Sequence, residues 1–299
     1  MFISKSLCYF FLLIFILLII AGIIIKCTKL LFFLPINKRK LRHPYDIFSP
    51  HKTFIESHRG ASREIFQNTL ESISRVIQYD IDSFECDAWL TKDNVLVIIN
   101  GGKNGDLKGL YDHPGKVPNL TWDELSTYRT IRDNLKMPRL IDIMKLVKNK
   151  LFMNLEIKDP RVDLVFPLVI ELIEKYNFFD QISISSLHHL YYNKIEEYNK
   201  SHKNKIVFGF VYNPKRKKLF DYTKKGHTLN IFWKEVTKEV CDKAHKNGMA
   251  VIAWFSFYIT EKTEMYEKLI KSGVDGIICN TPLLAKKVID NYYLNKSKK

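Results

Sequence analysis

Residues 151–185 read LFMNLEIKDPRVDLVFPLVIELIEKYNFFDQISIS, and this stretch carries the pattern that decides the fold. Residues 151–157 and 182–185 are short runs with the composition of strands, and residues 162–176 between them have the periodicity of a helix. A strand, a helix of about 10–15 residues and a second strand are typical of a βα unit in a parallel sheet. The stretch therefore predicts an α/β fold.

The same alternation continues on both sides of this stretch. Strand-like runs occur at residues 53–57, 83–87, 95–99, 151–157, 182–185, 206–211, 229–233, 250–255 and 276–279, and helical patterns separate most of them. A barrel of this class needs eight strands. Lys92-Asp93-Asn94 reads as a tight turn, so one of the two runs beside it, or the last run, is expected outside the barrel. We predict one TIM-type (β/α)8 barrel over residues 53–299, preceded by one N-terminal transmembrane helix.

The composition is that of a globular, strongly basic protein. Hydrophobic residues make up 46% of the chain, which excludes a disordered protein, and the net charge is +15. No RNP or zinc-finger pattern is present, so we expect no nucleic-acid partner. Part of the basic excess, including Lys38-Arg39-Lys40, follows an apolar segment and suits anionic lipid headgroups. A generally lysine-rich composition is the alternative explanation, and the oligomeric state is not predicted.

The apolar segment is residues 7–25, LCYFFLLIFILLIIAGIII, which contain no charge. About 20 helical residues cross the hydrocarbon core of a bilayer. We therefore predict a single-pass anchor with its flanks in residues 1–29 and a basic juxtamembrane linker in residues 30–52. A cleaved signal peptide is the alternative, because Ala21-Gly22 is a possible cleavage point, but further apolar residues follow it directly.

The charges on either side of the anchor predict its orientation. Lys5 and the α-amino group precede the run, whereas basic residues follow it at positions 26, 29, 38, 39, 40 and 42. The positive-inside rule then places the large domain in the cytosol. Two glycosylation sequons, Asn119-Leu120-Thr121 and Asn199-Lys200-Ser201, favour the opposite orientation, since they are used only in a lumenal domain.

Charged and aromatic residues stand at the ends of several predicted strands, where a barrel places its active site. They are His58 and Arg59 after the first strand, Glu85 and Asp87 on the second, Glu156 and Lys158 at the end of residues 151–157, and Trp254 within residues 250–255. The i, i+2 spacing of Glu85 and Asp87 turns both carboxylates to one face, whereas Cys86 points to the opposite face and is expected in the core.

This combination of residue types suits phosphodiester cleavage. Glu85, Asp87 and Glu156 offer hard oxygen ligands for Mg²⁺ or Ca²⁺. The metal and the two cationic side chains would neutralise charge on the phosphate, and His58 would act as base, acid or nucleophile. Each residue alone also has a structural explanation, such as a core histidine or a surface ion pair. Together they would be costly to bury without a ligand.

A series of motifs resembles, in order, the domain of the glycerophosphodiester phosphodiesterase family. The motifs are His58-Arg59-Gly60, Asn68-Thr69-Leu70, FECDAWLTKD at residues 84–93, NLEIK at 154–158, Ser185-Ser186-Leu187, Ala253-Trp254 and GVDGIICNTP at 273–282. No single motif is specific, but their order is. The resemblance extends from about Phe54 to Pro282.

The resemblance implies a TIM-like barrel and specific roles for the residues at the strand ends. It implies a divalent metal held by Glu85, Asp87 and Glu156, catalysis by His58 and Lys158, and substrate binding by Arg59 and Trp254. The N-terminal anchor resembles the membrane-bound branch of the family, whose substrates include lysophospholipids as well as glycerophosphodiesters. The implied partners are therefore a phospholipid-derived substrate and the membrane.

Two positions depart from the family pattern. Gln67 stands where the family usually has Glu, and Asn100-Gly101 stand where it has His-Asp. That histidine is normally the acid that protonates the leaving oxygen, and the loss of one general acid typically costs about 10²–10⁴-fold in rate. His113, in the following loop, is a candidate substitute.

The sequence thus predicts a metal-dependent phosphoric diester hydrolase of lipid metabolism that cleaves glycerophosphodiesters or lysophospholipids at the membrane. The alternative is a catalytically silent relative that binds metal or lipid phosphate without turnover. A basic membrane scaffold without either property ranks third.

Overall fold

The structure is a computed structural model that describes residues 52–212 and 226–297. The predicted anchor in residues 1–29 and the predicted linker, apart from Lys52, lie outside these residues. Within the two described ranges, no helix has both the length and the apolar character needed to cross a bilayer.

Eight parallel strands form a closed barrel, which confirms the predicted TIM-type fold. Strand β1 pairs in parallel with both β2 and β9, and the remaining strands follow in the order β9-β8-β7-β6-β5-β4-β2. The strands are β1 (Phe54–His58), β2 (Ser83–Leu90), β4 (Phe152–Ile157), β5 (Ile182–Ser186), β6 (Val207–Val211), β7 (Thr228–Phe232), β8 (Ala250–Trp254) and β9 (Gly276–Cys279).

One strand lies outside the barrel, in agreement with the expectation that this would be one of the two runs beside the tight turn or the last run. Strand β3 (Leu96–Ile98) pairs antiparallel with the outer end of β2, with Ala88 opposite Ile98 and Leu90 opposite Leu96. A two-stranded antiparallel hairpin can be joined by a short turn, whereas neighbouring parallel strands need a crossover. The short connection between β2 and β3 therefore excludes β3 from the parallel barrel.

Helices connect most of the strands. They are α1 (Leu70–Ile77), α2 (Trp122–Thr127), α3 (Leu140–Val147), α4 (Val162–Lys175), α5 (Leu190–Ser201), α6 (Lys238–Lys246), α7 (Thr263–Ser272) and α8 (Pro282–Ser297), with 3₁₀ turns at Val117–Asn119, Phe179–Gln181 and Trp233–Glu235. The Thr69 hydroxyl caps α1 by accepting a hydrogen bond from the Ser72 backbone N–H, and the Ser72 side chain returns the bond. This cap starts the helix directly after the loop that follows β1.

The faces of the strands separate core from site. Phe84, Cys86 and Ala88 of β2 pack in the apolar layer between barrel and helices, as predicted for Cys86. Successive side chains of a strand point to opposite faces, so Glu85 and Asp87 face the barrel interior. Polar side chains at the inward positions of several strands therefore supply a site at one end of the barrel.

The interior is polar below the site as well. Asn154 donates a hydrogen bond from Nδ2 to Glu56 Oε2 over 2.8 Å, and its Oδ1 accepts one from the Ser185 hydroxyl over 2.9 Å. All three side chains are buried, with Glu56 and Asn154 each only 1% exposed. Burial raises the pKa of Glu56 to about 8, although the hydrogen bond from Asn154 acts in the opposite direction.

The segment between β3 and β4 builds a second, small core that the sequence reading missed. Trp89, Val97 and Leu107 are at its centre, and helix α2 packs Leu125 against them. Helix α2 has only six residues, too few to show a helical period. A signal was nonetheless present, because Thr121-x-x-Glu124 is a capping box, and both of its hydrogen bonds form.

Candidate active site

The carboxyl ends of the strands surround a cavity of about 570 Å³. Its lining includes most of the residues predicted from the sequence: His58, Arg59, Glu85, Glu156, Lys158 and Trp254, together with Asn100. Asp87 lies in the cavity wall behind them and is completely buried. The structure therefore brings together all seven predicted site residues, which come from four barrel strands and the turns that follow them.

His58 ends β1 and is 7% exposed. Its Nδ1 lies 2.8 Å from Asn280 Oδ1, and its Nε2 lies 3.9 Å from Glu85 Oε2. Burial, and then the positive charge of Arg59, lower the pKa of His58 to about 3. A neutral imidazole follows from this environment across the physiological pH range, and one of its two nitrogens carries a lone pair.

The turn after β1 is built from two left-handed residues. Arg59 has a φ of 61° and Gly60 a φ of 80°. A Cβ on Gly60 would lie 2.5 Å from Ser72 Oγ, so only glycine fits there. The Arg59 backbone N–H donates to the Glu85 carbonyl oxygen over 2.9 Å, which ties the turn to β2. This geometry explains why the histidine and arginine are followed by glycine.

The Arg59 guanidinium contacts three groups. Its Nε lies 3.0 Å from Asp87 Oδ2, its Nη1 donates to Gln67 Oε1 over 2.7 Å, and its Cζ lies 5.7 Å from the centre of the Phe257 ring. Gln67 thus keeps a hydrogen bond to the arginine that a glutamate would also make. Because the amide is neutral, more of the arginine's charge remains available to an anionic substrate.

Glu85, Asp87 and Glu156 each place one oxygen within 4.8 Å of the others. Burial and the charge of Asp87 raise the pKa of Glu85 well above its ordinary value. Burial also raises the pKa of Asp87, but the charges of Lys158 and Arg59 outweigh it and bring this pKa below the usual range. The two carboxyls are therefore in opposite electrostatic situations although they share one strand.

Lys158 bridges two of these carboxylates. Its Nζ lies 3.1 Å from Asp87 Oδ1 and 2.5 Å from Glu156 Oε1. Burial alone would lower the pKa of Lys158, but the charges of Glu156 and Asp87 raise it above its ordinary value. The side chain consequently stays cationic at the wall of the cavity.

The carboxylate cluster has the properties of a divalent-metal site. Among the residues that the structure describes, Glu85 Oε1 is a buried oxygen that accepts no hydrogen bond, and buried Asp87 Oδ1 has the ion pair with Lys158 but no well-formed hydrogen bond. Buried charged oxygens without a donor are costly, and a cation removes the cost. Three carboxyl groups stand beside one arginine and one lysine, so acidic groups are in excess within the cluster. The donor set, entirely oxygen, fits Mg²⁺ or Ca²⁺.

Asn100 occupies the edge of the cavity after β3. Its Nδ2 lies 3.3 Å from Asp87 Oδ2, and its carbonyl oxygen accepts a hydrogen bond from Trp89 Nε1 over 2.9 Å. Gly101 follows with a φ of 55°, and a Cβ there would lie 2.8 Å from Trp89 Nε1. The backbone at this position therefore excludes the aspartate that usually accompanies the second histidine, unless Trp89 moves.

His113 does not compensate for this difference. Its side chain is 59% exposed, pairs with Asp112 and stacks on Tyr128 at a centroid distance of 4.7 Å. It is not among the described residues that line the cavity, where His58 is the sole histidine. The suggestion that His113 substitutes for the missing acid is wrong for this structure, because the intervening loop directs it into solvent.

Several residues with evident roles were not singled out from the sequence. Asn68 donates from Nδ2 to Asp87 Oδ2 over 2.8 Å, and its Oδ1 accepts the Asp87 backbone N–H. Asn280 bonds to His58, as described above. Both residues lie inside motifs quoted for the family resemblance, so a signal existed. Phe257, which packs beside His58 and Arg59, follows Trp254 in a loop without a recognisable pattern.

Comparison with known proteins identifies the group to which this site belongs. The model of the glycerophosphoryl diester phosphodiesterase family matches residues 58–284, which is most of the chain. The chain belongs to the glycerophosphoryl diester phosphodiesterase family. A glycerophosphodiester phosphodiesterase of Caldanaerobacter subterraneus subsp. tengcongensis is 28% identical over 244 residues, which cover 77% of this chain and 95% of that protein.

Solved structures share the fold. A structure from Galdieria sulphuraria has a TM-score of 0.73 at 20% identity and covers 81% of this chain and 99% of its own. An Oleispira antarctica phosphodiesterase, solved in complex with the product sn-glycerol-3-phosphate, has a TM-score of 0.70 at 18% identity and covers 80% and 97%. The family predicted from the motifs, and with it the enzyme class, is thus confirmed, whereas the roles of individual residues stay predictions.

Proposed function

We propose that this protein is a divalent-metal-dependent hydrolase that cleaves glycerophosphodiesters or lysophospholipids at a membrane surface. The observation that carries the proposal is the meeting of three elements in one cavity: a neutral His58, a carboxylate cluster in which Glu85 Oε1 has no hydrogen-bond donor, and the cations Arg59 and Lys158. Membership of the glycerophosphoryl diester phosphodiesterase family supports phosphodiester hydrolysis as the reaction.

Glu85, Asp87 and Glu156 would hold the metal, because each contributes one oxygen to the same small volume. When bound, a divalent cation supplies Lewis acidity that polarises a phosphoryl oxygen. The protein's own cations complement it. Arg59 and Lys158 lie on either side of Asp87 and would orient the phosphate and offset the charge that develops on its oxygens.

His58 would serve as the base or nucleophile. Its pKa of about 3 keeps it neutral near pH 7, so the free ring nitrogen can accept a proton or attack phosphorus. Trp254 would contact the substrate. Its ring lines the cavity, and its buried Nε1–H has no hydrogen-bond partner among the described residues.

The apolar part of the cavity favours a lipid substrate. Leu187, Val211, Tyr212 and Ile278 form part of the wall, and Tyr258 stands at the rim with 91% of its surface exposed. An acyl chain gains roughly 25 cal/mol for each Å² of apolar surface that it buries. A small, fully polar glycerophosphodiester gains little from the same surface. The cavity therefore suits lysophospholipids as well as glycerophosphodiesters.

The main experiment measures choline release from glycerophosphocholine and lysophosphatidylcholine by the full-length protein in detergent. Mg²⁺ or Ca²⁺ should support turnover, EDTA should stop it, and Glu85→Ala should prevent rescue by added metal. His113→Ala is the matched control, since this exposed histidine does not line the cavity. Activity that persists equally in EDTA and in Glu85→Ala would contradict the metal-dependent mechanism.

A second variant tests the substrate class. Tyr258→Ala should raise the KM for lysophosphatidylcholine several-fold while leaving the KM for glycerophosphocholine within about twofold, because only the acyl chain reaches the rim. Tyr292→Ala, on helix α8 away from the cavity, is a control for general effects of removing a tyrosine. Equal changes for both substrates would argue against an acyl-chain contact at Tyr258.

The second candidate function is a silent phosphodiesterase-like protein that binds metal or lipid phosphate. It is favoured by one observation, the presence of Asn100 where an acid is needed. Calorimetric binding of Mg²⁺ or Ca²⁺ that is lost in Glu85→Ala, without turnover of any substrate by the wild type, would support this candidate. Turnover that depends on His58 would exclude it.

We further propose that residues 7–25 anchor the barrel as a single-pass segment with the barrel in the cytosol. The uncharged run and the basic residues after it support this arrangement. In one of the two sequons that favour the opposite orientation, the Asn199 amide is engaged in two hydrogen bonds with the backbone of Ile206. Asn119 is exposed, so its glycosylation in cells would contradict a cytosolic barrel. The proposal is supported if the protein stays in the membrane after carbonate extraction and if protease added to intact microsomes digests the barrel.

A further inference from the structure

Glu261 lies beneath the active site in the loop between β8 and α7, and it is 6% exposed. Its Oε1 accepts hydrogen bonds from the Asn280 backbone N–H over 2.8 Å and from Asn280 Nδ2 over 2.7 Å. Its Oε2 accepts bonds from the backbone N–H and the hydroxyl of Thr281 and from the Tyr266 hydroxyl. One carboxylate therefore joins the β8–α7 loop to the residues that follow β9.

These bonds determine which way the Asn280 amide faces. Asn280 Nδ2 donates to Glu261 Oε1 and also to the Ser256 carbonyl oxygen over 3.0 Å. Both acceptors have no hydrogen to donate, so the amino group must point toward them and Oδ1 must point away. Asn280 Oδ1 is then the atom that faces His58 Nδ1 at 2.8 Å.

The orientation of Asn280 decides the protonation of the His58 ring. An amide oxygen only accepts hydrogen bonds, so the nitrogen facing it, Nδ1, must carry the hydrogen. The lone pair of the neutral ring then lies on Nε2, the nitrogen on the Glu85 side of the ring. With the opposite tautomer, Nε2 would carry a hydrogen and could act neither as base nor as nucleophile.

We infer that Glu261 is a positioning residue for this reaction, which acts through Asn280 to hold the His58 ring in the tautomer with a free Nε2. The inference rests on the proposed function for its catalytic consequence, but the tautomer itself is a property of the folded protein. Glu261 bonds to Asn280, Thr281 and Tyr266, and of these three residues Asn280 is the one that bonds to His58, so the route of its effect runs through Asn280.

The direct test is ¹⁵N NMR of the full-length protein labelled at histidine, with the His58 signals assigned by their loss in His58→Gln. The wild type should show Nδ1 protonated and Nε2 unprotonated, without metal and without substrate. Asn280→Leu should convert this signature to a mixture or to the opposite tautomer. A wild-type ring with its hydrogen on Nε2 would overturn the inference, whether or not the protein turns over any substrate.

The kinetic test asks whether Glu261 acts through Asn280. With the metal that supports turnover, Asn280→Leu should lower kcat at least about tenfold with KM within about twofold, and Glu261→Gln should lower it less. In the double variant the effect of Glu261→Gln should disappear, because its route to His58 is already broken. Fully multiplicative losses would mean that Glu261 acts independently and would overturn the inference.

A control separates positioning from stability. Glu174→Gln likewise removes a carboxylate that accepts a tyrosine hydroxyl bond, from Tyr198, but on the outer surface of helix α4. It should leave kcat and the His58 signals unchanged. If Glu261→Gln does not fold, Asn280→Leu retains the bonds of Glu261 to Thr281 and Tyr266 and still decides the outcome. Absence of turnover in a wild type with the expected tautomer refutes the proposed function but not the positioning.

Discussion

Two strand ends face the same cavity but carry different side chains with different contacts. At the end of β1, His58 is buried, its ring is held by Asn280, and Glu261 holds Asn280 in turn. After β3, the side chain of the half-buried Asn100 makes one long hydrogen bond of 3.3 Å to Asp87, and a glycine in the left-handed region follows it. The first position holds a titratable side chain in a fixed orientation, and the second holds an amide that does not titrate. The difference teaches that the acidic cluster and a complete pair of histidines are separable features of one fold.

The largest expected effect comes from removing the histidine at the end of β1. His58→Ala should lower kcat about 10²–10⁴-fold, because the role proposed for this residue is to accept a proton or attack phosphorus. The loss should be similar for glycerophosphocholine and for an activated 4-nitrophenyl phosphodiester, since both need the base or nucleophile. Initial rates on the two substrates, measured beside His113→Ala, check this. A loss confined to glycerophosphocholine would mean instead that His58 protonates the leaving group.

The next largest effect comes from placing a histidine after β3. Asn100→His should raise kcat for glycerophosphocholine by about 10²-fold, because a general acid assists an alkoxide leaving group. The activated diester, whose leaving group needs no proton, should gain less than about threefold. Parallel rate measurements on the two substrates provide the check. Equal gains on both would mean that the histidine improves binding and does not supply the missing acid.

A smaller effect concerns the layer beneath His58. The folded-state pKa of Glu56 is about 8 and lies above the ordinary value of 4.5, so its contribution to stability is complete below pH 4.5 and is lost as the pH rises through about 8. Wild type should therefore lose roughly 3–4 kcal/mol of unfolding free energy between pH 5 and pH 8, relative to Glu56→Gln. Urea titrations at the two pH values measure this, and identical pH dependences would contradict a protonated Glu56.

The smallest effect tests the backbone that follows Asn100. Gly101→Ala should cost about 2 kcal/mol of stability, because its φ is 55° and its Cβ would lie 2.8 Å from Trp89 Nε1. Gly109→Ala is the matched control. It also has a positive φ, of 74°, but nothing lies within 4 Å of its Cβ, so it should cost only about 1 kcal/mol. Thermal or urea unfolding of both variants gives the comparison, and equal costs would show that Trp89 yields easily.

The site was predictable wherever a role followed from position on a strand. Glu85 and Asp87 alternate with core residues, and Glu156 and Lys158 lie at the end of the next barrel strand, so their meeting follows from the period of two and from the parallel order. The link from Glu261 through Asn280 to His58 was not predictable. Asn280 and His58 are 222 positions apart, and they meet because β1 pairs with β9. The position of His113 was not predictable either, since it depends on how a loop folds over its own small core.

By itself the sequence determined the family, the alternation of strands and helices, and the set of charged residues at the strand ends. These features are local, because side-chain periodicity and turn chemistry act over a few residues. The tertiary structure alone decided which of the candidate runs, β3, stands outside the barrel, that the Asn280 amide faces His58 with its oxygen, and that Asn100 lies beside Asp87. Those features require closure of the barrel, which brings residues from opposite ends of the chain within hydrogen-bond distance of one another.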